Sequence, residues 1–178
     1  MLRHTTLASA AVISAVCALE ATVNEFHLDA IDRHEIFLGK AVGAASRIAR
    51  LWDTVERAPI LRKYEWLLDL AGAEPFAAGR APYQPAADLI ELRDVLVHYK
   101  PEWSDARNLS KRLEARLRSK FALNPLAAPD QFFIPYRCLG FGCAAWAVAS
   151  SRALILSFFE RLGVTPRLGG FDAELRID

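Results

Sequence analysis

Cysteine is scarce in this chain of 178 residues: Cys17, Cys138 and Cys143 are all there are, an odd number that cannot pair off completely. Only Cys138 and Cys143 are close in sequence, and no second pair accompanies them, so the spacing of a zinc site is missing and no metal is expected. So few thiols suit a reducing compartment, where cysteine packs as a small apolar residue. Net charge is scarce too. A formal balance of +1 sets up no overall field toward nucleic acid or an anionic membrane, so any such attraction is local. Internal repeats, low-complexity tracts and alternating patterns long enough for a sheet are also absent. What remains is 53% hydrophobic and 24% charged, a globular composition in a length that suits one domain with a full core.

The apolar run of residues 7–19 behind Arg3 superficially resembles an export signal. A signal ends in a cleavage site and a change of pattern. Here Val12, Val16, Leu19, Val23 and Phe26 continue one helical stripe through that region. The run is also shorter than the roughly 20 residues that span a bilayer. It reads as the first helix of a cytoplasmic bundle with no membrane partner, capped by Thr5 or Thr6 and ending near Leu28. Ala8, Ala11, Ala15 and Ala18 add a small-residue edge that admits a second helix.

Residues 29–42 read as helix. Ile48, Leu51, Trp52 and Val55 form a clear stripe, which Pro59 restarts and Gly72 stops. Residues 73–85 hold Pro75, Gly79, Pro82 and Pro85 and form a connector. A helix over residues 86–99 follows, ended by Pro101. Ser104 caps the next helix, with Leu109, Leu113, Leu117 and Phe121 inward. Residues 124–142 form an irregular strap whose Phe132, Phe133, Tyr136 and Phe141 pack inward. The last helix, residues 143–162, turns Val148, Ile155, Phe159 and Leu162 to the core. The expected fold is all-α: a helical bundle of about five long helices forming one domain over residues 1–163, then a loose tail over residues 164–178.

The helix of residues 86–99 divides unevenly at about 100° per residue. Leu89, Leu92, Leu96 and Tyr99 form its core edge, and Ile90 and Val97 a second apolar edge nearby. Arg93 falls inside this apolar arc, so it needs a carboxylate, a phosphate or another chain as partner. Asp94 and His98 share the polar side with Glu91. Two apolar edges imply two contacts, one with the bundle and one with a second subunit. Arg93 and His98 are about 140° apart on an ideal helix, which two copies around a two-fold axis reconcile. His98 lies in the last turn, where the helix dipole favours imidazolium. Histidine moves protons near neutral pH, and arginine stabilises charge on phosphoryl oxygens.

The run Arg93-Asp94-Val95-Leu96-Val97-His98 resembles the signature of the HEPN (higher eukaryotes and prokaryotes nucleotide-binding) superfamily: an arginine, a polar residue, then a histidine. Its extension from Ile90 to Trp103 looks like the version in uncharacterised bacterial HEPN-type proteins, and residues 18–26 resemble their first helix. The resemblance implies a helical bundle, a homodimer, no cofactor, and a metal-independent endoribonuclease site at the dimer interface. Arg93 would stabilise the phosphorane and His98 would act as general acid or base. Asp94 stands where many relatives carry asparagine, and either orients His98 or pairs with Arg93. The implied substrate is RNA, and the implied setting is a toxin or defence effector with an antitoxin or regulatory protein as partner. Tyrosine is Tyr99, one place after His98 rather than two, so regulation by a nucleotidyltransferase antitoxin is not assigned.

Lys100, Arg107, Lys111 and Arg118 are candidates for tracking an RNA backbone, within a run that also holds Arg112, Arg116 and Lys120. A solvated helix face is the commoner explanation of such a run. Phe132, Phe133 and Tyr136 either stack on bases or pack in the core. His4, His27 and His34 read as surface or boundary residues, and Glu20 and Asn24 as a solvated face. The alternatives to a ribonuclease are a non-catalytic HEPN-like module binding RNA or a protein partner, and a structural dimer whose polar pair has no ligand.

Overall fold

The apolar stripe of the first helix behaves as its spacing dictates: Val12, Val16, Leu19, Val23 and Phe26 are all buried. The computed structural model describes residues 2–98 and 106–166. Over these residues the fold is all-α, with six α-helices: α1 (Leu2–Ile31), α2 (Ala45–Val55), α3 (Ile60–Leu70), α4 (Tyr83–Val97), α5 (Ala106–Leu117) and α6 (Phe141–Leu162). The expected cap at Ser104, the core residue Tyr99, the stop at Pro101 and the tail beyond Pro166 lie outside the described residues.

Helix α1 overruns both of its expected ends. Thr5 and Thr6 sit inside it, and the Ser9 hydroxyl donates back to the Thr5 carbonyl at 2.9 Å. Residues 29–42 are not one helix. The chain leaves α1 through Arg33 at φ 58°, then makes two short tight turns, Glu35–Phe37 and Gly39–Ala44. A left-handed residue breaks the i to i−4 ladder, so the apolar pattern there could not propagate as helix. Pro59 and Gly72 do bound α3 as expected, with Gly72 at φ 61°.

The chain divides into two compact units: Met1–Leu19 with Ala77–Leu154, and Glu20–Phe76 with Ile155–Asp178. In the first, α5 packs against α4 and against the helical turn Phe133–Arg137 of the strap. The buried Ser151 hydroxyl of α6 donates to the Ala15 carbonyl of α1 at 2.8 Å. Leu113 and Leu117 are buried as expected, while Phe121 lies past the end of α5 with its ring 5.3 Å from Trp146. Val148 is exposed rather than inward. The buried line of α6 in this unit is Cys143, Ala147, Ser150, Ser151 and Leu154. Gly142 allows a close approach, since a Cβ there would stand 2.5 Å from the Ala122 carbonyl oxygen.

The second unit is built on aromatic edges. Phe158 of α6 meets Phe26 of α1 at 5.3 Å and Tyr64 of α3 at 4.8 Å between centroids, both near perpendicular. Gly39 lies against the end of α6, where a Cβ would stand 2.2 Å from the Leu162 carbonyl oxygen.

Arg3–Ile31 and Phe141–Leu162 are long and apolar enough to cross a membrane, with 33% and 39% of their most apolar stretches buried. Core helices and signal sequences meet the same description.

Candidate functional site

Helix α4 starts with Pro82 at its cap and Pro85 in its first turn, where a missing N–H costs nothing. It ends at Val97. His98 leaves the helix at φ −104°, ψ 47°, while its N–H still donates to the Asp94 carbonyl at 2.8 Å. The described part of the motif therefore runs over the last turn of a helix whose carbonyl end points onward.

The face of α4 toward α5 is fixed by an ionic fork. Asp88 is buried, its side chain only 2% exposed, and accepts from Gln84 Nε2 at 2.9 Å and Arg116 Nε at 2.8 Å. An Nη of the same Arg116 also bonds Glu91. One guanidinium from α5 thus holds two carboxylates one turn apart on α4, the geometry for which arginine rather than lysine is suited. Sequence reasoning missed Asp88 and Gln84. The available signal was an acid at helical spacing from Leu92 on one core edge, opposite a base beside Leu113 and Leu117 on the next helix.

Leu89 and Leu92 are buried, Ile90 and Leu96 are half-buried, and Val97 is 49% exposed, so the second apolar edge of α4 is open at its end. Arg93 stands within this arc with about a quarter of its side chain exposed. Its Nε is shielded from solvent and makes no hydrogen bond, although Asp94 Oδ1 lies 3.1 Å away. The contact is close enough for charge but misdirected for a hydrogen bond. Asp94 itself is exposed, as is His98. The structure therefore brings Asp94 to Arg93. Among the described residues, no group of three or more His, Cys, Asp or Glu is placed to hold a metal ion.

Of the residues expected to track RNA, Lys100 and the side chain of Arg107 lie outside the described residues. Lys111 is exposed. Arg118 bonds Glu114 one turn back and stacks over Phe133 at 5.7 Å. Phe133 is buried, but Phe132, Tyr136 and Phe141 are exposed, so the strap packs only one of its four aromatics into the core.

A second polar cluster, unforeseen in the sequence, lies in the other unit. Lys63 is fully buried and donates to Asn24 Oδ1 at 2.9 Å, with Glu20 Oε1 at 4.0 Å and the Trp52 ring at 6.0 Å. Asn24 therefore serves α3, while Glu20 stays nearly half exposed at the edge of the cluster. His27 is buried beside them, not at the surface. Its Nδ1–H donates to the Val23 carbonyl at 2.9 Å and its ring lies 5.2 Å from Trp52. His34 is exposed and pairs with Asp29 at 3.2 Å, and His4 Nε2 is shielded without a hydrogen-bond partner. A cleft of about 100 Å³ between Glu25, Asp29, Phe37 and Phe159 is smaller than the roughly 300 Å³ at which small-molecule pockets begin.

Burial holds the His27 imidazole below its ordinary pKa of 6.5; the Val23 bond opposes this, and Lys63 reinforces it. The folded chain thus keeps His27 neutral where the unfolded chain takes up a proton. Stability present above pH 6.5 is lost as pH falls through the folded value. The melting temperature should drop from about pH 7 to about pH 5, and drop less in His27→Gln. Parallel slopes in the two proteins would remove His27 as the source.

With the geometry of both clusters established, comparison with protein-family models, with curated proteins and with solved structures gives no match.

Proposed function

We propose that this chain is a metal-independent endoribonuclease of the HEPN type, with Arg93 and His98 as its reacting groups. The observation that carries the reading is the state of Arg93: a guanidinium set in an apolar arc, ion-paired with Asp94 but with an Nε that makes no hydrogen bond, ahead of an exposed histidine at the end of the helix. A buried donor without an acceptor is costly, and a phosphoryl oxygen satisfies it with a charge-assisted bond. His98, exposed just past the end of α4, supplies proton transfer.

In the reaction, the ribose 2′-hydroxyl gives up its proton and its oxygen bonds to the adjacent phosphorus. The bond from phosphorus to the 5′-oxygen breaks, and that oxygen takes a proton. Arg93 carries the charge that gathers on the non-bridging oxygens, and His98 moves one of the two protons. Two copies around a two-fold axis, meeting through the open Val97 edge of α4, supply a second histidine for the other proton. We place the enzyme in the cytoplasm, where its unpaired thiols stay reduced.

The test is cleavage of single-stranded RNA by the dimer, its mass checked by light scattering, in excess EDTA. Products should carry 2′,3′-cyclic phosphate and 5′-hydroxyl ends, and DNA, lacking the 2′-hydroxyl, should be left whole. Activity that vanishes in EDTA and returns with magnesium would sink this mechanism.

A further inference from the structure

We infer that the strap and the end of α5 form a platform for single-stranded RNA, on which Phe132 and Tyr136 stack against bases while cations of α5 follow the phosphates. The inference rests on the ribonuclease reading for why RNA is the natural ligand; the surface itself stands on separate observations. Phe132 is 79% exposed and Tyr136 40% exposed, although Phe133 between them is buried. Phe132 leaves most of its ring in water and Tyr136 a good part of its own, so the segment presents two aromatic surfaces for a contact.

The segment that carries them is pinned. Buried Asn124 donates from its backbone N–H to the Arg137 carbonyl at 2.8 Å and from Nδ2 to the Tyr136 carbonyl at 3.0 Å. Its Oδ1 accepts the Leu126 N–H at 3.1 Å, and the Arg137 N–H donates to the Phe132 carbonyl at 3.3 Å. The rings are thus presented on ordered backbone, which lowers the entropy lost when a base stacks on them.

Charge decides the occupant. The turn Phe133–Arg137 packs against α5, and Arg118 marks the seam, its guanidinium over Phe133. Along the same stretch Lys111, Arg112 and Lys120 are exposed. Glu114, the acid among them, is already bonded to Arg118. Exposed aromatic rings on a turn packed against a helix with exposed cations suit a flexible polyanion with stackable bases, and stacking of this kind tolerates any base.

The probe is a labelled 12-residue 2′-O-methyl oligouridine, which cannot undergo attack by its blocked 2′-oxygen, titrated with the full chain by fluorescence anisotropy. Phe132→Ala and Tyr136→Ala should each weaken binding roughly 5- to 100-fold, with melting temperature unchanged. Lys111→Gln with Lys120→Gln should flatten the slope of log affinity against log salt by about 0.7 per lysine. An abasic oligomer of equal length should bind wild type and Phe132→Ala alike. Wild type that fails to bind the probe at low salt overturns the platform, as does equal binding by the aromatic variants. So does a Phe132→Ala variant that binds normally but falls from dimer to monomer, since the patch would then join two copies. Binding through Phe132 without any RNA cleavage upholds the platform and removes the ribonuclease. Cleavage unaltered in KM by the double aromatic change does the reverse.

Discussion

His98→Ala should lower RNA cleavage by roughly 10²–10⁴, the usual loss when a positioned proton-transfer group is deleted. The fold should be untouched, because His98 is exposed and already outside helical geometry. Arg93→Ala should lose cleavage to a similar degree, through loss of charge stabilisation on the phosphoryl oxygens. Its effect on stability should be small, since the lost ion pair with exposed Asp94 is offset by removal of a shielded Nε that makes no hydrogen bond. Asp94→Asn should raise cleavage: the carboxylate 3.1 Å from Arg93 competes with phosphate for that cation. Initial rates on a labelled RNA, at equal concentrations of folded dimer, decide all three. If Arg93→Ala and His98→Ala both cleave like wild type, the site lies elsewhere.

Gly39→Ala should destabilise the chain by about 2–5 kcal/mol, the sum of two separate costs. Gly39 has φ 52°, where an L residue loses roughly 1–2 kcal/mol. The added methyl would also meet the Leu162 carbonyl oxygen at 2.2 Å, a backbone atom that cannot turn aside, so the main chain must shift. Overpacking of this kind typically adds about 1–3 kcal/mol. Gly72 is the internal control: its φ is 61°, but a Cβ there meets nothing within 4 Å. Urea unfolding of Gly39→Ala beside Gly72→Ala therefore isolates the steric part. Equal losses in the two variants would mean that Gly39 is not pressed on the end of α6.

The parts of the fold that obey local rules were legible in the sequence. One stripe predicts the buried face of α1, and Pro59 and Gly72 predict the limits of α3, because period and backbone restriction act within a few residues. Residues 29–42 escaped because nothing in their composition announces Arg33 at positive φ. Helix α6 was assigned the wrong inward residue, Val148, because its first turns are small or apolar on every side, and periodicity cannot choose a face there. In the candidate site, the placing of Arg93 within an apolar arc follows from angle alone. The fork at Arg116 does not, since it needs the register between α4 and α5. For the same reason Lys63 and His27 showed no sign of burial: Asn24, which holds Lys63, is 39 positions away on α1, and the Trp52 ring beside His27 is on α2.

Exposure also sorts the three thiols into two kinetic classes. Cys17 is open on α1, whereas Cys138 of the strap and Cys143 of α6 are buried. Burial raises both thiol pKa values, that of Cys143 to about 12, so neither yields much thiolate near neutral pH. A maleimide dye therefore marks one position first, without mutagenesis. The slower alkylation of the other two becomes a clock: it runs only while the first unit opens around the strap and the start of α6. Its rate reads out how often the platform and its supporting helix come apart in the native protein.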